Sequence, residues 1–299
     1  MPFDAVLPAF LIAAVGYVAG QKFNLDKQTL SRVCLYILVP ALTFKSLVES
    51  AIDLSIAWRL AVAAIAFPFV EIPIFLALFK ALKWDQSTSR AMLLASVFTN
   101  AGNYGLPVCL FAFGQEGMDL GVVFMVSQTL MLSSLGVYIA ASAQSGASSA
   151  LRQVLKMPAL YAAAAGILVR ASGIAVPTML SRPVGLLAQA AVPVFLLLLG
   201  LQLLGSSAEG ASWKEPAVTV PLRLVVAPIL AGLVGWAVGL SGLPWKVLVL
   251  QGAMSTPVNA TVLAQEFGAE PEAVSRVTAL TTVASVLTLT LWIMVLRAM

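Results

Sequence analysis

Long apolar stretches, separated by short polar or charged breaks, run along almost the whole of this 299-residue chain. Cutting the sequence at these breaks leaves about ten apolar segments, most of them near the ~20 residues that a helix needs to cross a bilayer. The segments, numbered as spans 1 to 10, cover residues 4–21, 31–48, 56–82, 88–113, 118–143, 158–172, 183–204, 215–240, 245–266 and 272–296. Because the apolar runs are continuous and do not alternate, we predict spanning helices and not barrel strands.

The composition assigns the chain to the bilayer. It is 60% hydrophobic and only 10% charged, whereas soluble domains have about 45–50% apolar and about 25% charged residues. We therefore expect an all-α polytopic protein of the cell membrane (inner or plasma membrane). The absence of histidine argues against zinc sites, Ser-His triads and histidine proton relays. Cys34 and Cys109 lie in apolar runs, so we expect them to be small buried side chains. No metal or cofactor is expected, and no basic cluster suggests nucleic acid.

The second half of the chain repeats the proline positions of the first half in the same order. The matched pairs are Pro40 with Pro193, Pro73 with Pro228, and Pro107 with Pro257. The sequences FGQEG and FGAEP then follow spans 4 and 9. These matches predict two five-helix halves, 1–150 and 151–299, joined through the linker AQSGASSALRQVLKM at 143–157. Since five is odd, the halves must have opposite orientations, as in the inverted repeats of secondary transporters.

The basic residues of the short loops predict the orientation in the membrane. With the N-terminus outside, more of them lie in cytoplasmic than in external loops. The cytoplasmic set is Lys22, Lys27, Arg32, Lys80, Lys83, Arg90, Arg152, Lys156, Lys214 and Arg276, against Lys45, Arg59, Arg170, Arg182, Lys246 and Arg297 outside. We expect the N-terminus and the C-terminus both to lie outside.

Spans 4 and 9 each contain a polar, helix-breaking stretch, TNAGNYGLPV from Thr99 and AMSTPVNAT from Ala253. A break inside lipid is tolerated only beside protein or a water-filled cavity, and the helix that resumes after it presents free N–H groups that suit an anion. We expect Thr256 to cap the second half-helix and Pro257 to be its first residue. The predicted substrate site, where the breaks cross, comprises Asn100, Asn103, Tyr104, Gly105, Pro107, Ser255, Thr256, Pro257 and Asn259.

Three further polar side chains lie within spans. Glu71 lies deep in span 3, where an ionised carboxylate is costly, so we expect it to couple transport to a proton, with Gln128 as a polar neighbour. The alternative is that Glu71 only bonds a neighbouring hydroxyl or amide, or extends to water. Arg223 in span 8 either pairs with a substrate carboxylate or extends to the cytoplasmic face.

The GxxxG stretches at 16–20 and 235–239 indicate close helix packing within the monomer or a dimer contact.

The NAGNYGLPV stretch followed by FG, and the later TPVNATVLAQEFG, resemble the auxin efflux carrier family, which includes the plant PIN-type carriers and bacterial malonate and malate carriers. The resemblance implies a fold similar to the bile-acid/sodium symporters, with spans 4 and 9 crossing at their prolines. It implies a scaffold of spans 1, 2, 6 and 7, a transport domain of spans 3–5 and 8–10, elevator-like movement and often a homodimer. The plant carriers have a proline beside the Asn and a long central loop. In this chain Ala101 and Gly102 lie between the two Asn residues, and the central loop is short. Both differences argue against auxin itself as the substrate.

The sequence therefore predicts a secondary transporter of small organic anions, either malonate- or malate-like or auxin-like, in elevator-type alternating access. A uniporter or channel would need polar residues across both leaflets, and polarity concentrated at two breaks favours alternating access. An intramembrane enzyme ranks last because no nucleophile and base pair is apparent. Coupling to H⁺, to Na⁺ or to neither stays open, as do the substrate, the direction of transport and the oligomeric state.

Overall fold

The computed structural model describes residues 3–50, 52–140, 155, 157–204 and 213–299. Within these ranges every regular element is helical. The main helices are α1 Phe3–Phe23, α2 Lys27–Glu49, α3 Leu54–Ala81, α4 Gln86–Val97, α5 Leu106–Met131, α6 Pro158–Ser172, α7 Thr178–Gln202, α8 Lys214–Ala237, α9 Gly242–Gly252, α10 Val258–Phe267 and α11 Pro271–Ala298.

Seven helical segments of the described chain are long and apolar enough to cross a membrane, with residues 86–140 taken as one segment. The prediction of an all-helical membrane protein is therefore confirmed. Helices occupy all ten predicted intervals, although α6 has only 15 residues and spans 4 and 9 are each divided between two helices. Most of the predicted linker, 143–154 and 156, lies outside the described residues.

Three of the prolines found in the sequence pattern follow a widened helical turn. The π-helical turns Cys34–Leu38, Ala101–Gly105 and Leu222–Val226 each end two residues before a proline, at Pro40, Pro107 and Pro228 respectively. Proline has no N–H and clashes with the carbonyl four residues earlier, so an α-helical turn is strained there. The wider turn relieves this clash, and the chain continues as a helix with a local distortion.

Gly114 separates spans 4 and 5 within the long segment that contains α5. Its φ of 72° and ψ of −163° are non-helical, and glycine adopts this conformation without the steric cost of a side chain. Beyond Met131 the helix continues through a π turn, Leu132–Gly136, to Ala140. The sequence break FGQEG therefore marks a true interruption, at which α5 is divided into two helical parts.

Three helices are capped at their N-termini by aspartates, which lie in the loops between the apolar segments. The carboxylates of Asp26, Asp53 and Asp85 accept hydrogen bonds from the first backbone N–H groups of α2, α3 and α4. These bonds satisfy donors that have no partner within the helix. The backbone N–H and then the hydroxyl of Thr88 hold the pKa of Asp85 below its ordinary value of 3.8.

Glycines allow α1 and α7 to pack against each other at backbone distance. A Cβ on Gly16 would collide with the carbonyl of Leu197, and one on Gly200 with the carbonyl of Ala13. The GxxxG stretch at 16–20 therefore serves close packing within the monomer. In the second stretch Gly235 packs on Trp245 and Leu248 of α9, while Gly239 ends the helix with a φ of 77°.

Candidate functional site

Span 4 breaks at Phe98, one residue after α4 ends. Phe98 and Asn100 have ψ angles of 148° and 60°, outside the helical region. The chain resumes its helical course in the π turn Ala101–Gly105, whose last N–H donates to the carbonyl of Asn100 at 2.9 Å. Pro107 then lies in the first turn of α5, where proline is well tolerated. The polar stretch in span 4 is thus a true interruption of the membrane helix.

Span 9 breaks between α9, which ends at Gly252, and α10, which begins at Val258. The prediction that Thr256 caps this helix with Pro257 as its first residue is wrong. Pro257 itself precedes the helix, with φ −76° and ψ 142°. The Thr256 hydroxyl instead donates to the carbonyl of Ala95 on α4. Its backbone N–H donates to the Thr281 hydroxyl on α11 at 3.1 Å.

The two breaks are in direct contact. The backbone N–H of Asn100 donates to the carbonyl of Ser255 at 2.8 Å, and the Gln251 amide lies 3.4 Å from the carbonyl of Ala101. Each break therefore supplies hydrogen-bond partners to backbone groups that the other leaves open. This mutual pairing explains how two interrupted helices are tolerated inside an apolar bundle.

A cavity of about 320 Å³ lies beside the contact between the breaks. One wall comes from the first half of α2 and the start of α6, and the other from both breaks and the second half of α5. Its lining comprises Ser31, Cys34, Leu35, Tyr36, Val39, Phe98, Thr99, Asn100, Ala101, Gly102, Asn103, Met125, Gln128, Thr129, Leu132, Ser133, Met157, Pro158, Ala159, Pro257 and Asn259. None of these lining residues is charged.

Several polar atoms at the cavity have no hydrogen-bond partner among the described residues. They are the side-chain nitrogen of Asn100, the hydroxyl of Thr99 and the amide oxygen of Gln128, all of them buried. The nitrogen of Gln128 donates to the carbonyl of Ala64 at 2.9 Å, which fixes the orientation of that amide. A buried donor or acceptor left without a partner is costly, so these atoms mark an unsatisfied polar part of the cavity wall.

The predicted substrate-site residues divide into two groups. Asn100, Asn103, Pro257 and Asn259 line the cavity, together with the coupling candidate Gln128. The others, Tyr104, Gly105, Pro107, Ser255 and Thr256, are buried in the packing around the breaks and do not line it. The Tyr104 hydroxyl, for example, accepts a hydrogen bond from Ser285 at 3.1 Å.

Glu71 and Arg223 lie opposite each other in the protein interior, away from the cavity lining. Both side chains are fully buried, with Nη1 of Arg223 3.6 Å from Oε1 of Glu71. Arg223 also donates to the carbonyl of Ser96 at 2.6 Å and to that of Gly252. The alternative in which Arg223 extends to the cytoplasmic face is therefore wrong, because backbone carbonyls and a carboxylate hold it inside the protein.

Some residues of the site were not identified from the sequence. Gln251 closes the gap between the breaks, because its side chain fills the space beside Gly105 and Gly121. An amide just before the AMSTP break was a signal that could have identified it. Tyr36 and Met157 on the other wall of the cavity belong to distant apolar segments and carried no such signal.

An apolar helical bundle with two interrupted helices in contact, and a polar cavity beside them, is the architecture of membrane transporters with discontinuous helices. Comparison with known proteins agrees. The membrane transport protein family matches residues 2–150 and 145–293, so the chain belongs to this family, that of the auxin efflux carriers.

The curated relatives match over nearly their whole length. An "uncharacterized transporter" of Methanothermobacter thermautotrophicus is 28% identical over 300 residues, covering 98% of this chain and 98% of the relative. One of Methanocaldococcus jannaschii is 24% identical, again over 98% of each chain. A "putative malonate transporter" of Rhizobium meliloti is 24% identical over 95% of this chain and 92% of its own length.

Proposed function

We propose that the protein is a secondary active transporter of small organic anions, and not an enzyme, and that the anion binds in the cavity beside the two breaks. The observation that carries the proposal is the contact of Asn100 with Ser255 next to unsatisfied amide and hydroxyl groups. Since the described lining has no basic residue, amide N–H groups and half-helix N-termini would meet the negative charge.

The cavity lining supports a carboxylate attached to a carbon body. Asn100, Asn103 and Asn259 supply amides, while Leu35, Val39, Met125 and Leu132 supply apolar surface. The malonate named for the Rhizobium relative is the first substrate to test. Auxin-like carboxylates, which carry a larger apolar part, are the second.

For the whole molecule we propose ten crossings in a five-plus-five inverted repeat, 1–150 and 151–299, with a fold like that of the bile-acid/sodium symporters. Spans 1, 2, 6 and 7 would form a scaffold, against which spans 3–5 and 8–10 move as an elevator. The cavity supports this division because residues of α2 and α6 face residues of the two breaks across it. With both termini outside, the cavity would lie near the cytoplasmic side, since Ser31 lies in the second turn of α2 and Met157 directly precedes α6, each close to a loop assigned to the cytoplasm.

We also propose that Glu71 couples transport to protons. Its carboxylate is fully buried, and neither oxygen accepts a hydrogen bond from the described residues. Intramembrane carboxylates are expensive to retain and mark ion and proton pathways. A change in the water access of span 3 during transport would let Glu71 bind a proton on one side and release it on the other.

Uptake of labelled malonate and malate by proteoliposomes tests the function. We expect the protein to accumulate one of these anions when an inward proton gradient is imposed with Na⁺ absent, and to accumulate less without the gradient. Liposomes with no protein give the background. Equilibration without accumulation would indicate a uniporter or channel. If folded protein moves neither these anions nor an indole carboxylate under any gradient, the proposal of an organic-anion carrier is wrong.

A further inference from the structure

Arg223 lies where the C-terminal ends of two interrupted helices meet. One of its carbonyl partners, Ser96, belongs to the last turn of α4, and the other, Gly252, is the last residue of α9. The final carbonyls of a helix have no partner within it and carry the negative end of the helix dipole. A single guanidinium therefore joins the negative ends of both first half-helices.

Apart from these two carbonyls, Arg223 has few interaction partners among the described residues. The side chain is fully buried, its Nε atom has no hydrogen-bond partner among the described residues, and the ring of Phe67 lies 6.0 Å from the guanidinium carbon. Glu71 supplies a charge at 3.6 Å but accepts no hydrogen bond from it. The two carbonyls are thus the hydrogen-bonded partners, and Glu71 only balances the charge.

Backbone carbonyls at half-helix C-termini are the groups that hold Na⁺ in transporters with discontinuous helices. We propose that Arg223 acts as a built-in cation at this place, so that the two breaks are held together without a bound metal ion and the protein does not require Na⁺. Arg223 is a positioning residue, since it does not line the cavity. Only the consequence for transport rests on the proposed function, because the role at the helix ends can be measured without a substrate.

Chemical rescue in the purified protein tests the role. We expect Arg223→Ala to lower Tm by more than about 5 °C, and millimolar guanidinium chloride to restore part of that loss. Arg182→Ala, which removes an exposed arginine of α7, is the matched control and should show no rescue. Guanidinium that stabilises neither variant, or both equally, would contradict the proposal. So would a wild-type Tm that rises when choline chloride is replaced by sodium chloride at equal ionic strength.

A double variant separates this role from simple neutralisation of Glu71. If Arg223 only balances the carboxylate, Glu71→Gln with Arg223→Ala should regain most of the lost Tm, since removing both charges leaves neither unpaired. We expect no such recovery, because the two helix-end carbonyls stay without a donor. Should Arg223→Ala not fold, Arg223→Gln replaces it. It keeps a long polar side chain but carries no charge, so a wild-type Tm in that variant would overturn the proposal.

Transport supplies an independent measurement. We expect wild-type uptake to be the same in sodium and in choline buffers. Uptake that requires Na⁺ would contradict the built-in cation and leave an organic-anion carrier intact. Absence of uptake in every buffer would contradict the proposed function, and the Tm comparisons would still decide the role of Arg223.

Discussion

Asn100, Arg223 and Thr256 show how single residues maintain the interrupted helices, each through a bond to a backbone group of another segment. The intramembrane polar residues could be identified from the sequence because each stands out against an apolar background. Their partners could not be identified in this way. The carbonyls that hold Arg223 lie 127 and 29 residues away along the chain, and only the packing of α4, α8 and α9 brings them together. Residue type therefore identified the polar side chains that matter for the interrupted helices, but it did not identify the groups that they bind.

Replacing Glu71 by Gln removes a charge and preserves the size of the side chain. Because Arg223 keeps its two carbonyl partners, we expect the variant to fold and to exchange external for internal substrate. It should no longer accumulate substrate under a proton gradient, since no carboxylate remains to carry the proton. The measurement is counterflow and gradient-driven uptake in the same proteoliposomes. Accumulation at the wild-type level would show that Glu71 does not couple transport to protons.

The aspartate at the start of α4 gives stability a pH dependence. The pKa of Asp85 is depressed in the folded protein, so its contribution is present above the ordinary value of 3.8 and is lost as the pH falls through the folded value. An asparagine at this position would cap the helix equally well without titrating. We therefore expect the Tm of Asp85→Asn to fall less than that of wild type between about pH 5 and about pH 3. If the Tm values of the two proteins fall equally with pH, the charge of Asp85 does not contribute to the stability that the cap provides.

At the scale of elements, proline and glycine patterns were the strongest sequence signals. The breaks in spans 4 and 9 were predicted at the correct segments, because Asn, Gly and Pro interrupt a helix through local geometry alone. The start of α10 was misplaced by one residue. Thr256 is a good cap in isolation, but a bond to Ala95 uses its hydroxyl, and this tertiary contact overrides the local preference. The π turns before the prolines were likewise not apparent from the sequence.

The close contact of α1 with α7 makes Gly200 a sensitive position. A methyl group there would collide with the backbone of Ala13, so Gly200→Ala should cost roughly 1–3 kcal/mol through overpacking. Gly185→Ala in the same helix is the control, because its Cβ would lie 3.9 Å from the Lys45 side chain. That control should be neutral or stabilising by up to about 1 kcal/mol. Equal Tm values for the two variants would show that the helices separate easily.

At the scale of the whole molecule, hydropathy predicted a helical membrane protein, and the motifs of spans 4 and 9 predicted its family. The cavity could not be predicted from the sequence in the same way. One of its walls consists of ordinary apolar positions of α2 and α6, such as Leu35 and Met157, which face the breaks only once the bundle is assembled. Elevator movement of the two breaks past that wall is the proposal that connects this cavity to transport.

The most direct test of the proposed substrate site compares labelled malonate uptake by wild type, Asn103→Ala and Gln189→Ala. Asn103 lines the cavity, whereas Gln189 is an exposed amide on α7, so both variants lose one amide and only one changes the proposed site. We expect Asn103→Ala to lower uptake at least about tenfold, the effect of losing about 1.4 kcal/mol of binding, with Tm unchanged. Gln189→Ala should transport normally. Wild-type uptake and affinity in Asn103→Ala would contradict the placement of the substrate in this cavity.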